Sequence, residues 1–182
     1  MSTIFTIGYS VRPIGEFVAL LRQVAVDRLV DVRRNPWSQV SPQFSADVLP
    51  RSLAAAGITY SHLQELGGAR GSDNDTAPTR STFWHNAPFD DYADYAETAA
   101  FRKGLNELRA IASDHCCAVM GEDVLWWHCY RRIIADHLLA EGATVAHIIG
   151  VNKIDLATLT PGALAEPDGR IIYPVADLIS NG

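Results

Sequence analysis

The chain has little cysteine and no apolar run long enough to cross a bilayer. Its three cysteines are Cys116, Cys117 and Cys129. An odd number, two of them adjacent, makes a poor disulfide framework, and no Cys-x-x-Cys occurs. Adjacent cysteines heading an apolar run fit buried thiols better than metal ligands. No stretch approaches the roughly 20 apolar residues of a membrane span. The opening Met1–Gly8 lacks the basic region and long apolar core of a secretory signal. A cytoplasmic location without a membrane partner is therefore expected. Basic residues are also in deficit, 15 Lys and Arg against 21 Asp and Glu, for a formal net charge of −6. That argues against broad, charge-driven binding of duplex nucleic acid and leaves nucleic acid only weakly supported as a partner. There is no phosphate-binding Walker loop, no dinucleotide-binding glycine motif and no His-Glu-x-x-His. The six histidines show no zinc-like spacing. Neither a metal nor a cofactor is expected.

What is present is an alternation of short apolar runs with helical periodicity. A chain of 182 residues suits one domain with one sizeable core. Strands are expected at Ile4 to Ile7, Leu29 to Val32, Ile58 to Leu63, Cys116 to Met120 and Thr144 to Ile149. Ile14, Phe17, Val18, Leu21 and Val24 recur at helical spacing, with Pro13 in a first turn. Asp47 reads as the N-cap of a helix ending at Gly57. Phe101, Leu105, Leu108 and Ile111 mark another helix, and Arg131 to Glu141, closed by Gly142, a further one. This order predicts an α/β fold: a mainly parallel sheet of about five strands with helices on both faces. Arg170 to Tyr173 is a candidate short edge strand. Residues 64–91 break the rhythm with Gly67, Gly68, Gly71, Pro78 and Pro88, and read as a long loop or lid.

Ligands of open parallel sheets sit beyond the carboxyl ends of the strands. The residues there are Gly8, Tyr9, Ser10 and Arg12; Asp31 with Arg33 and Arg34; Glu65, Gly67, Gly68 and Arg70; and Gly121, Glu122, Asp123, Cys129, Tyr130 and Arg131. Arginine offers a planar fork for phosphate or carboxylate, and glycines let backbone N–H groups approach an anion. The pattern predicts an arginine-rich pocket for a phosphorylated small molecule or nucleotide. Arg33 and Arg131 would share one cleft, assisted by Tyr9, Ser10, Gln43, Gly67, Gly68 and Tyr130. Asp123 or Glu65 is the acid–base candidate, and Cys129 the candidate nucleophile, since a helix start and nearby arginines activate a thiol. The competing reading is internal: Arg33 and Arg131 pair with Asp31 and Asp123, and Cys129 is a packing residue. The cysteine-phosphatase loop is excluded, because the position six beyond Cys129 is Ala135. His62 and His147 lie in strand-like runs and fit core histidines. Trp126 and Trp127 suit either core packing or stacking on a base.

Several blocks together resemble one family. They are Thr6-Ile7-Gly8-Tyr9-Ser10, Val30-Asp31-Val32-Arg33-Arg34-Asn35-Pro36, Pro42-Gln43-Phe44, Leu63-Gln64-Glu65-Leu66-Gly67-Gly68, Tyr92-Ala93-Asp94-Tyr95 and Trp126-Trp127-His128-Cys129-Tyr130-Arg131-Arg132. In this order they resemble the conserved bacterial proteins grouped as domain of unknown function 488. The resemblance implies a compact α/β fold and no established chemistry. The family commonly has His where this chain has Tyr9, Cys where it has Gly121, and His where it has Tyr130. A paired-cysteine redox or metal role is therefore not expected here. Three functions remain open: a hydrolase or transferase, a non-catalytic module for a nucleotide or nucleic-acid end, and a protein-interaction domain.

Overall fold

The computed structural model describes residues 3–68 and 82–174. Six strands form one sheet: β1 (Ile4–Gly8), β2 (Arg28–Asp31), β3 (Thr59–His62), β4 (Cys117–Gly121), β5 (Val145–Gly150) and β6 (Lys153–Leu156), in the order β3-β2-β4-β1-β5-β6. The first five are parallel, and only β6 runs antiparallel, against β5. Among the described residues five helices surround them: α1 (Ile14–Gln23), α2 (Leu49–Ala54), α3 (Ala87–Tyr95), α4 (Ala99–Asp114) and α5 (Arg131–Ala140). This is the expected α/β architecture.

Strand alternation divides the core into two layers. Leu29, Ala118, Met120 and Ile7 pack with Phe17, Leu20 and Leu21 of α1 and with Leu49 and Leu53 of α2. Val30, Val32, Cys117 and Val119 pack with Leu105 and Leu108 of α4 and with Ile133, Ile134 and Leu138 of α5. The central strand β4 is buried along its whole length, which is why its sequence is a continuous apolar run without alternation.

The chain reaches β3 by moving towards one edge, and then β4 returns to the gap between β2 and β1. β1 leads into α1 on one face, whereas its neighbour β4 leads into α5 on the other. Adjacent strands whose connections leave to opposite faces open a crevice at their carboxyl ends.

Three expectations are corrected, and one strand was not expected. The helix before Gly57 starts at Leu49 with Val48 at the cap position and no side-chain cap. Asp47 does not cap it, because the turn from Pro42–Phe44 continues and the Ser45 carbonyl takes the N–H groups of Val48 and Leu49. Ile171–Ile172 (β8) is not an edge of the main sheet; it pairs with Leu164–Ala165 (β7) in a separate hairpin. The strand β6 was unforeseen. It is short and mostly exposed, and is reached through a turn with Asn152 at φ +54°. His62 is exposed and bonds the Arg33 carbonyl at 2.7 Å, unlike a core histidine. The predicted long loop holds a short 3-10 turn, Gln64–Leu66, and the start of α3, while its portion 69–81 lies outside the described residues.

Candidate active site

Arg131 is wholly buried at this sheet edge, 1% exposed. It is the first residue of α5 and turns back under the β4 loop. Nε–H donates to Cys129 Sγ at 3.3 Å, Nη1–H to the Thr6 hydroxyl at 3.5 Å, and Nη2–H to the Asp123 carbonyl oxygen. Those partners are two neutral oxygens and a sulfur. The Asp123 carboxylate turns the other way, accepting from the Leu125 N–H at 3.0 Å. A buried guanidinium without a carboxylate is costly unless an anion balances it, and Cys129 is the ionisable group on it. Thr6 is tied in turn to His147 Nδ1 at 2.7 Å, and Trp126 stacks on that imidazole with ring centres 4.3 Å apart. Burial, with the Arg131 charge second, lowers the His147 pKa to about 4, so the ring is neutral near pH 7.

Gly121 makes the arrangement possible. A Cβ there would stand 2.7 Å from Arg131 Nε and 3.0 Å from Cys129 Sγ. Gly68 does the same for Tyr130, whose ring lies 2.5 Å from where its Cβ would be. These glycines make room for side chains of the protein itself rather than for an anion. Gly67 likewise packs on the backbone of Arg34.

Cys129 follows the 3-10 turn Trp126–His128 and sits one residue before the cap of α5. It is 5% exposed and faces a cleft of about 410 Å³ lined by Ser10, Gly68, Pro88, Phe89, Tyr92, Glu122, Asp123, His128, Cys129 and Tyr130. Five of the residues named from sequence thus meet: Ser10, Gly68, Asp123, Cys129 and Tyr130. Glu122, placed at this sheet edge from sequence without a role, lines the cleft too, as do His128 and the α3 residues Pro88, Phe89 and Tyr92. The phenol of Tyr130 donates to the Val32 carbonyl at 3.2 Å, and burial followed by the charge of Cys129 raises its pKa.

The other named residues lie elsewhere. Arg33 makes a buried two-pronged pair with Asp31, Nε to Oδ1 at 2.9 Å and Nη2 to Oδ2 at 2.6 Å, with Nη2 also on the Phe44 carbonyl at 2.6 Å. Burial opposes its charge, but Asp31 outweighs that and raises the pKa. Tyr60 donates to the same carboxylate at 2.7 Å, and the Tyr9 ring lies 5.0 Å from the guanidinium. Asp31 and Arg33 face the α1/α2 layer with Leu29, whereas Arg131 lies against Gly121 and Thr6 in the α4/α5 layer. The expectation that Arg33 and Arg131 share one cleft is therefore corrected: they occupy opposite faces of the sheet. Glu65 pairs with Lys103 at 3.5 Å, outside the cleft lining. Gln43 is half-buried on the turn beside Phe44, which stacks on Tyr9.

Among the described residues no group of three or more His, Cys, Asp or Glu is arranged to hold a metal, and no helix is long and apolar enough to cross a membrane. The fold and site define a class: a doubly wound α/β protein with a cysteine–arginine pair beneath a cleft at the strand-order reversal. The chain belongs to the family Domain of unknown function DUF488, whose model matches residues 13–138. No curated protein and no solved structure matches it.

Proposed function

We propose that this protein is an enzyme of the transferase or hydrolase class, with Cys129 as nucleophile towards a small electrophile held in the Cys129 cleft. The observation that carries the reading is the wholly buried Arg131, whose Nε–H is given to Cys129 Sγ and which has no carboxylate among its partners. Guanidinium charge beside a cysteine is a setting that activates it as a nucleophile. In the step envisaged, the Cys129 thiol gives its proton to solvent, Sγ bonds to the electrophilic centre as the bond from that centre to the leaving group breaks, and the leaving group takes up a proton from solvent. Water or a second substrate then releases the product. Thr6 and His147 position Arg131, and Asp123 shapes the loop that accepts its Nη2–H.

The arginine-rich phosphate pocket is not carried forward as a whole. Arg33 is neutralised by Asp31 and lies on the other face. A non-catalytic nucleotide module stacking on Trp126 is disfavoured, because that ring is already stacked on His147.

Alkylation by iodoacetamide, mapped by mass spectrometry against time and pH, tests the reading. Cys129 should react well before Cys117, whose thiol is pushed up to about 12 by burial. Arg131→Met should slow Cys129 by at least about tenfold, while Arg131→Lys retains part of the rate. If Cys129 in the folded wild type stays unmodified, or labels at the rate of Cys117, it is a packing residue and the proposal is wrong.

A further inference from the structure

We infer that the Cys129 cleft selects electrophiles that carry a positive charge over anionic ones. The inference rests on Cys129 being the reactive group and reverses the anionic partner expected from the arginines at the strand ends. It starts from what lines the cleft. Among the described lining residues two carry carboxylates, Glu122 and Asp123, and none is lysine or arginine. Arg131 lies behind Cys129 with Nε, Nη1 and Nη2 all engaged, so no face of its fork is presented to a ligand. Counted over the described residues, the formal charge at the cleft is negative in either state of the sulfur. With a neutral thiol, two carboxylates and one guanidinium give −2 + 1 = −1; with a thiolate, that sulfur offsets Arg131 and the sum is −2.

A second feature points the same way. Phe89 and Tyr130 form the aromatic side of the cleft, and the buried Tyr92 ring backs that of Tyr130 at 5.0 Å. Aromatic faces attract cations and are indifferent or repulsive to anions. The Tyr92 hydroxyl is turned away to donate to the Leu66 carbonyl, and that of Tyr130 to the Val32 carbonyl. Neither phenol is left as a donor for an anion. Carboxylates at the rim and ring faces within are the recognition chemistry of an ammonium or guanidinium group.

The test uses two reagents that modify thiols by the same reaction and differ in charge. Trimethylammonioethyl and sulfonatoethyl methanethiosulfonate each give a mixed disulfide on the thiolate and release methanesulfinate. Their rates on Cys129 are divided by their rates on a small free thiol. The expected ratio favours the cation by roughly tenfold at low salt and shrinks as salt screens the carboxylates. Glu122→Gln should cut the ratio of the cationic to the anionic rate. Equal or inverted rates would overturn the selectivity while leaving Cys129 as nucleophile; failure of both reagents and of iodoacetamide would instead overturn the proposed function. A binding measurement covers that last case without needing a reactive sulfur. Benzyltrimethylammonium should quench the fluorescence of Trp127, whose ring lies 6.0 Å from that of the lining residue His128, at concentrations where benzenesulfonate does not, and the reverse order would overturn the inference. A lysine-containing peptide that quenches below the benzyltrimethylammonium range would assign the charge to a protein side chain, and one that does not to a small molecule.

Discussion

Replacing Gly121 by alanine probes the link between packing and reactivity. The new Cβ would stand 2.7 Å from Arg131 Nε, 2.8 Å from Cδ and 3.0 Å from Cys129 Sγ. Comfortable carbon contacts begin near 3.5 Å, so the side chain must retreat by about 0.8 Å. It cannot simply swing aside, since its two terminal nitrogens are held by Thr6 and the Asp123 carbonyl. Overpacking of this kind costs about 1–3 kcal/mol. In a domain of this size each kcal/mol moves Tm by roughly 2–4 °C, so a mid-range cost predicts a fall of about 4–8 °C. The Nε–Sγ contact lengthens in the process, and Cys129 should alkylate more slowly in the same sample. Gly15→Ala is the control: it lies in the first turn of α1 with nothing within 4 Å of its Cβ, and should hold or raise Tm. Thermal unfolding by circular dichroism, paired with timed alkylation, measures both effects. A Gly121→Ala protein that melts within about 1 °C of wild type and labels Cys129 at the wild-type rate would falsify the three-way contact.

Asp31→Ala leaves Arg33 buried without its counter-charge and should cost about 3–5 kcal/mol in urea unfolding; a loss below about 1 kcal/mol would mean the pair is not desolvated as described. His137 and His147 are both lowered to about 4, chiefly by burial. Their folded values lie below the unfolded 6.5, so the unfolded chain binds protons first as pH falls. Their contribution is full above pH 6.5 and is lost on the way down to pH 4, up to about 3 kcal/mol each. Unfolding measured across that range should show the decline, and His147→Gln should flatten it; an unchanged slope in that variant would contradict the burial argument. Asp136 runs in the opposite sense. Burial raises its pKa despite bonds from the Thr160 N–H and the Tyr173 hydroxyl, so its stabilisation is lost as pH rises through the folded value. Asp136→Asn should gain on wild type as pH climbs from 3.8 towards neutrality, and a constant difference would refute the assignment.

The layers of the fold were legible because apolar periodicity reports burial directly: the continuous run of β4 and the spaced Phe101, Leu105 and Leu108 of α4 face what their patterns require. The hairpin strand β6 was not, since four mostly exposed residues carry no such signal. The site was legible as a place but not as a charge pattern. Residues two apart on a strand share a face, which favours the internal pairing of Asp31 with Arg33 given above as the competing reading and removes Arg33 from any ligand. The path of Arg131 could not be read that way, because its direction is set by the space at Gly121, on a strand far off in sequence. The wall of Pro88, Phe89 and Tyr92 lay partly inside a segment read as loop, where the helix start has no side-chain cap to announce it.

The position of β4 between β1 and β2 also governs how the chain can assemble. β1 bonds only to β4 and β5 within the sheet, and its partner for Phe5 is Ala118, 118 − 5 = 113 residues later. During synthesis this strand therefore emerges before either neighbour that accepts its backbone groups, and stays unpaired until more than 110 further residues have followed it. β2 meanwhile can pair with β3 alone. Closing so long a loop makes the central pairing slow compared with local helix formation, and it leaves an apolar strand exposed to other chains in the interval. Refolding yield should consequently fall as protein concentration rises, and a fragment ending before Cys117 should aggregate, although it contains β1, β2 and β3.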